Sequence, residues 1–167
     1  TSVTGLAQKV EIAATLHLPE DMLDGDLQLI FAVHGGGYQR LYWDPPFADQ
    51  SYSFARWFTD HGKAVLAIDM LGMGESSKPE PESLLSGAII TAAHASALAQ
   101  VIATLDRPVS ITGIGHSMGG MVVQRVIEQP SIKAFRQAPT VAGAILMSSV
   151  PPGGLWGTMM HLAMHDP

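Results

Sequence analysis

Apolar positions along the chain fall into short runs that alternate between strand length and helix length, with glycine, proline or aspartate at the breaks. Residues 10–18 read as a strand and 19–25 as a turn. The run LQLIFAV at 27–33 has the length and apolar content of a strand covered on both faces. It stops at His34, Gly35, Gly36 and Gly37. Residues 52–60 have helical character and end at Gly62. A second buried strand is expected at 64–68, closed by Asp69 and the turn Leu71, Gly72, Met73, Gly74.

Further along, Ser83 or a neighbour is placed to cap a long helix reaching about Leu105. Its apolar positions, Leu85, Ile89, Ala92, Ala95, Ala99 and Ile102, recur at helical spacing. Asp106 and Pro108 break it. A third buried strand is expected at 109–114. A helix then follows Ser117 to about Gln129, where Pro130 ends it, and a fourth buried strand occupies 141–147. Residues 151–167 have no strand character, and no internal repeat or low-complexity linker is visible. Strands alternating with helices predict an α/β fold with a mostly parallel sheet and flanking helices. With right-handed crossovers, the four strands are expected side by side in the order 64–68, 27–33, 109–114, 141–147.

Composition narrows the function classes. Hydrophobic residues make up 47% and charged residues 14%, the balance of a globular chain. A net charge of -6 argues against a nucleic-acid partner, which needs a basic face to meet phosphates. No basic amphipathic stretch and no uninterrupted apolar run of about 18 residues points to a membrane. The sequence has no cysteine, which removes disulfides, thiolate metal sites and cysteine nucleophiles together but leaves the compartment open. No His/Asp/Glu cluster has metal-ligand spacing, so neither metal nor cofactor is expected.

The chemistry lies at Gly115-x-Ser117-x-Gly119, between an expected strand and an expected helix. A sharp strand-to-helix turn lifts a serine hydroxyl out of the sheet, and glycines two residues either side let strand and helix approach. The same turn aims the Met118 N–H, at the helix N-terminus, toward an oxyanion on a substrate. The plainer alternative is a glycine-rich turn with a solvated serine. His34 to Gly37 also follows a buried strand; glycines there let backbone N–H groups face an oxygen unobstructed, although an ordinary flexible turn has the same composition. His34 reads as a pin for its own loop rather than a general base, and His116 is expected to point away from Ser117.

Three motifs in order, His34-Gly35-Gly36-Gly37, Asp69-Met-Leu-Gly72-Met-Gly74-Glu-Ser76 and Gly115-His-Ser117-Met-Gly119-Gly120, resemble the α/β-hydrolase superfamily, in its esterase, epoxide-hydrolase and carbon–carbon hydrolase branch. The resemblance covers about residues 8–150. It implies Ser117 as nucleophile and Gly36 and Met118 as oxyanion donors, in a serine hydrolase that cleaves an apolar carboxylic ester through an acyl-enzyme. A catalytically inactive binding protein of the same fold, or a C–C bond hydrolase, are the alternatives. The resemblance also implies that Asp69 closes a turn, its carboxylate accepting N–H bonds from Gly72 to Gly74, rather than serving as the catalytic acid.

In this fold the order along the chain is Ser, then acid, then His. The family's later strands, which carry the acid and the His, are not visible after 141–147. Residues 1–150 therefore read as the N-terminal part of the hydrolase core and 151–167 as the start of a cap. His161, His165 and Asp166 lie downstream of Ser117, but in the wrong order; an apolar, Met-rich helix at 155–164 explains them as well. Acid and His are expected from a missing C-terminal segment or a second chain. That partner would cover the raw edge at 141–147, burying more than about 2,000 Å².

Eight aromatic residues, Tyr38, Tyr42, Trp43, Phe47, Tyr52, Phe54, Trp57 and Phe58, crowd the segment after the glycine loop. Trp57 and Phe58 read as helix core. Tyr42, Trp43 and Phe47, on a loop with Pro45 and Pro46, are expected to wall an apolar substrate pocket, with local packing of a long loop as the alternative.

Overall fold

The computed structural model describes residues 9–21, 25–133 and 146–147. Five strands form one sheet in the order β1-β3-β2-β4-β5: β1 (Ala14–His17), β2 (Leu27–Val33), β3 (Ala64–Ile68), β4 (Val109–His116) and β5 (Leu146–Met147). β1 runs antiparallel to β3, and the other pairings are parallel. The four strands expected to lie side by side do so in the expected order, with 146–147 the described part of the fourth. β1 is shorter than the 10–18 run. Residues 11–13 instead lie along the loop after β3, where Glu11 and Ala13 donate backbone N–H bonds to the hydroxyls of Ser77 and Ser76.

The two faces of the sheet are filled by alternate residues, as the two-residue period of a strand requires. Leu29, Phe31 and Val33 of β2 and Ala64, Leu66 and Ile68 of β3 face one layer. That layer is built by Ala95, Leu98 and Ile102 of α2 (Gly87–Thr104) and Val122, Val123 and Val126 of α3 (Met118–Ile127). Ile30, Ala32, Val65 and Ala67 face the other, with Trp43 and with Ala55 of the short helix α1 (Phe54–Thr59). Every residue of β3 is buried, so continuous hydrophobicity in the sequence did report a strand covered on both sides.

Several boundaries move. Ser86, not Ser83, caps α2, its hydroxyl accepting the Ile89 N–H at 3.3 Å; Ser83 sits in a single 3-10 turn, Glu82–Leu84. Pro130 does not merely stop α3 but opens a further short helix, α4 (Pro130–Lys133), where its missing N–H is no loss. Trp57 is exposed rather than core, stacked on His61. α2 carries no charged residue and is long and apolar enough to cross a membrane by length and composition. Thr, His, Ser and Gln interrupt the apolar run, which hid this property in the sequence. In the fold Thr91, Ala95, Leu98 and Ile102 are buried, and the last three pack against the sheet.

Candidate active site

The parallel strands end level with one another. Ile68 of β3 pairs with Val33 of β2, and Val33 with Gly115 of β4. The loops that leave these ends are the three motifs singled out in the sequence, and they meet at the carboxyl edge of the sheet, where ligands bind in open α/β folds.

Ser117 stands between β4 and α3 with φ 52° and ψ -121°. Among the described residues, Asp106 and Ser117 are the non-glycine positions with positive φ. A side chain held in such a conformation stores of order 1–3 kcal/mol and persists only where its surroundings enforce it. Tight packing does so here. A Cβ on Gly115 would come within 2.3 Å of the Gly119 carbonyl carbon, and one on Gly119 within 2.3 Å of the Val33 carbonyl oxygen. Strand β4, the sharp turn (elbow) at Ser117 and helix α3 can approach this closely only without those side chains. The Ser117 residue is half-buried, and its side chain does not cap the helix it precedes.

His34 is fully buried and both ring nitrogens are committed. Nδ1 donates to the Gly35 carbonyl at 2.7 Å, and Nε2 accepts the Met70 N–H at 3.1 Å. The ring is therefore neutral, and burial lowers its pKa, outweighing the Gly35 carbonyl and the Asp69 charge that work the other way. It pins the loop, as expected, and has no nitrogen left to act as a base. The loop touches the elbow: a Cβ on Gly36 would lie 3.6 Å from the Met118 Cε. The Gly36 N–H makes no backbone hydrogen bond among the described residues. The Met118 N–H, first in its helix, has no partner within it.

Asp69 closes its turn differently from the expectation. Its carboxylate does not accept from Gly72 to Gly74. It accepts the Glu75 N–H at 2.8 Å, the Arg40 N–H at 2.5 Å and the Arg40 Nη1 at 2.6 Å. The Gly72 N–H goes to the Ser77 carbonyl instead. Gly74 leaves room for the carboxylate, since a Cβ there would lie 2.2 Å from Asp69 Oδ2. Fully buried and occupied on both oxygens, Asp69 is structural.

Two residues of this arrangement escaped the sequence reading. Arg40 is the sole Lys or Arg between His34 and Arg56; a buried carboxylate at the end of a central strand demands a cation, and that demand was the available signal. His94 is fully buried in α2 and accepts the Leu71 N–H at Nε2, 3.1 Å away. Burial pushes its pKa down to about 4, and His34 nearby adds to the effect. Its signal was a polar residue on the buried stripe of the helix.

The aromatic residues divide. Tyr42 stacks on His116, with ring centroids 5.1 Å apart and planes 8° from parallel, and Tyr38 meets both rings. Trp43 is 3% exposed and packs on Phe54, so it belongs to the core and not to a pocket wall. Phe47 is 90% exposed. Tyr42, with Tyr38, is what remains beside the elbow. A groove of 390 Å³ between His17, Asp44, Gln50 and Arg56 contains no residue of the glycine loop or the elbow. His161, His165 and Asp166, and the segment 151–167 as a whole, lie outside the described residues. Among the described residues no group of three or more His, Asp or Glu could hold a metal ion.

The profile of the alpha/beta hydrolase family matches residues 29–167. No curated protein matches the sequence. Similar solved structures include a probable hydrolytic enzyme from Pseudomonas aeruginosa, with a TM-score of 0.54 at 24% identity, over 72% of this chain and 33% of that one. Est1E from Butyrivibrio proteoclasticus, with ferulic acid bound, gives 0.54 at 22% identity, over 71% and 43%. A thermophilic esterase from Thermogutta terrifontis gives 0.53 at 20% identity, over 76% and 39%. At these identities the likeness is one of fold, and the chain spans between 33% and 43% of the length of these three structures. With the family match covering most of the sequence, the chain belongs to the alpha/beta hydrolase family.

Proposed function

We propose that the protein is a serine hydrolase that cleaves an apolar carboxylic ester, with Ser117 as nucleophile. The observation that carries this reading is the Ser117 backbone, held at φ 52° where packing of Gly119 against β2 leaves it no relaxed alternative. Ser117 Oγ attacks the ester carbonyl while a base takes its proton. The negative oxygen of the tetrahedral intermediate is met by the N–H groups of Gly36 and Met118. Collapse expels the alcohol, which takes up the proton from the base, and leaves an acyl-enzyme that water hydrolyses by the same steps. Tyr42 and Tyr38 flank the acyl group with apolar surface.

The base and its orienting acid are supplied from outside the described residues, by further sequence or by a second chain adding to the sheet beside β5. His34 and His94 are unsuited, because each already commits Nε2 to a backbone N–H. Without a base the oxyanion donors and binding alone leave about 10³–10⁴-fold over water. This reading calls for no metal or cofactor, and chelators are expected to leave activity unchanged.

The test is labelling of the full-length protein by a serine-reactive fluorophosphonate, with the modified residue located by peptide mass spectrometry. Attachment at Ser117, and loss of both labelling and ester turnover in Ser117→Ala, are expected. Wild-type turnover in the alanine variant would place the chemistry elsewhere.

A further inference from the structure

We infer that Arg40 is a positioning residue for the Gly36 oxyanion donor, acting as a clamp on the loop that carries it; this rests on the hydrolase reading of Ser117. The loop leaves β2 at His34 and is anchored twice on the same partner, the loop after β3. His34 Nε2 takes the Met70 N–H at one end, and Arg40 grips Asp69 at the other. Between the anchors lie three consecutive glycines, whose single internal backbone bond among the described residues is Tyr38 N–H to Gly35 carbonyl. A glycine run is the most mobile backbone available, yet an oxyanion donor stabilises charge only if it is in place before the charge forms. Packing beside His116 and Met118 limits the loop on one side; the anchors at its two ends supply the rest of the rigidity.

Arg40 is built for that task. Its own N–H and its Nη1 bond the two oxygens of the Asp69 carboxylate at 2.5 and 2.6 Å, so backbone and side chain of one residue hold one buried anion. The remaining prongs of the guanidinium reach Thr15 of β1, through Nε at 3.1 Å, and Glu75, through Nη2. The side chain is 17% exposed and that of Asp69 wholly buried, so the bond is shielded from solvent and stronger than a surface pair. A lysine would keep the positive charge but, as a single point donor, could not span three partners in fixed directions.

The experiment compares the full-length wild type with Arg40→Lys, which avoids leaving the buried carboxylate without a cation. Hydrogen exchange is followed in peptides covering 34–40 and 27–33, and ester kinetics are measured in parallel. Expected in the variant are exchange at 34–40 at least tenfold faster with 27–33 unchanged, and kcat about tenfold lower with KM within twofold. Unchanged exchange at 34–40 overturns the clamp, whatever the activity. Faster exchange with unaltered kcat overturns its positioning role. If Arg40→Lys loosens 27–33 as well, the residue supports the sheet at large and the inference fails. Thr15→Val, which removes one outer prong, should give a smaller change of the same kind. Failure of the hydrolase reading would show separately, as turnover surviving in Ser117→Ala, while the exchange result reports on the loop itself.

Discussion

The imidazole of His116 lies flat against the ring of Tyr42, 5.1 Å between centroids, one residue before the elbow serine. Tyr42 in turn meets Trp43 edge-on at 5.0 Å, so one exposed tyrosine joins β4 to the second core cluster. Aromatic pairs contribute roughly 0.5–1.5 kcal/mol each beyond buried area. Tyr42→Ala should therefore destabilise the fold by about 2 kcal/mol, and Tyr42→Phe by less than about 0.5 kcal/mol, in urea unfolding. A destabilised Phe variant would show that the hydroxyl, not the ring, matters.

Gly119→Ala should destabilise by about 3 kcal/mol or more, the upper range for forced overpacking. The added methyl would meet two backbone oxygens, those of Val33 and His34, at 2.3 and 2.4 Å. Backbone of a central strand cannot give way as a flexible side chain does. An unfolding midpoint close to wild type would mean that α3 can slide off β2 without penalty.

Ser117→Gly should be more stable than Ser117→Ala by about 1 kcal/mol. Alanine keeps a Cβ at positive φ, whereas glycine releases that strain and loses part of the gain to its more flexible unfolded chain. Thermal melts of the two variants make the comparison directly. Equal stability would leave the elbow unstrained.

Stability should fall with acid between pH 6.5 and about 4 because of His94. Its pKa is pushed from 6.5 down to about 4 by burial, so the unfolded chain binds the proton more readily. The neutral ring's contribution is complete above pH 6.5, is lost progressively as pH falls toward 4, and changes no further below. From pH 7 to pH 5 the loss amounts to about 2 kcal/mol. His34, lowered chiefly by burial too, acts in the same direction, so the diagnostic quantity is the difference in pH slope between wild type and His94→Gln. Parallel slopes would rule out His94 as the titrating group.

Periodicity determined the architecture of this protein. Runs such as LQLIFAV and AVLAI can satisfy neither one-sided burial nor a helix of ordinary length, which leaves strands of a sheet covered on both faces. Ser117 was legible for a similar reason: local sterics at a strand-to-helix turn write glycines into fixed positions on either side of it. Partnerships across long sequence separations were not legible. Arg40 and Asp69 are 29 residues apart, and nothing local distinguishes the arginine of a buried pair from a solvated one. His94 and Leu71, 23 apart, pose the same problem. The aromatic segment failed likewise: composition could not separate Trp43, 3% exposed, from Phe47, 90% exposed, because a loop has no period and only the packing of β2, β3 and α1 fixes which ring turns inward.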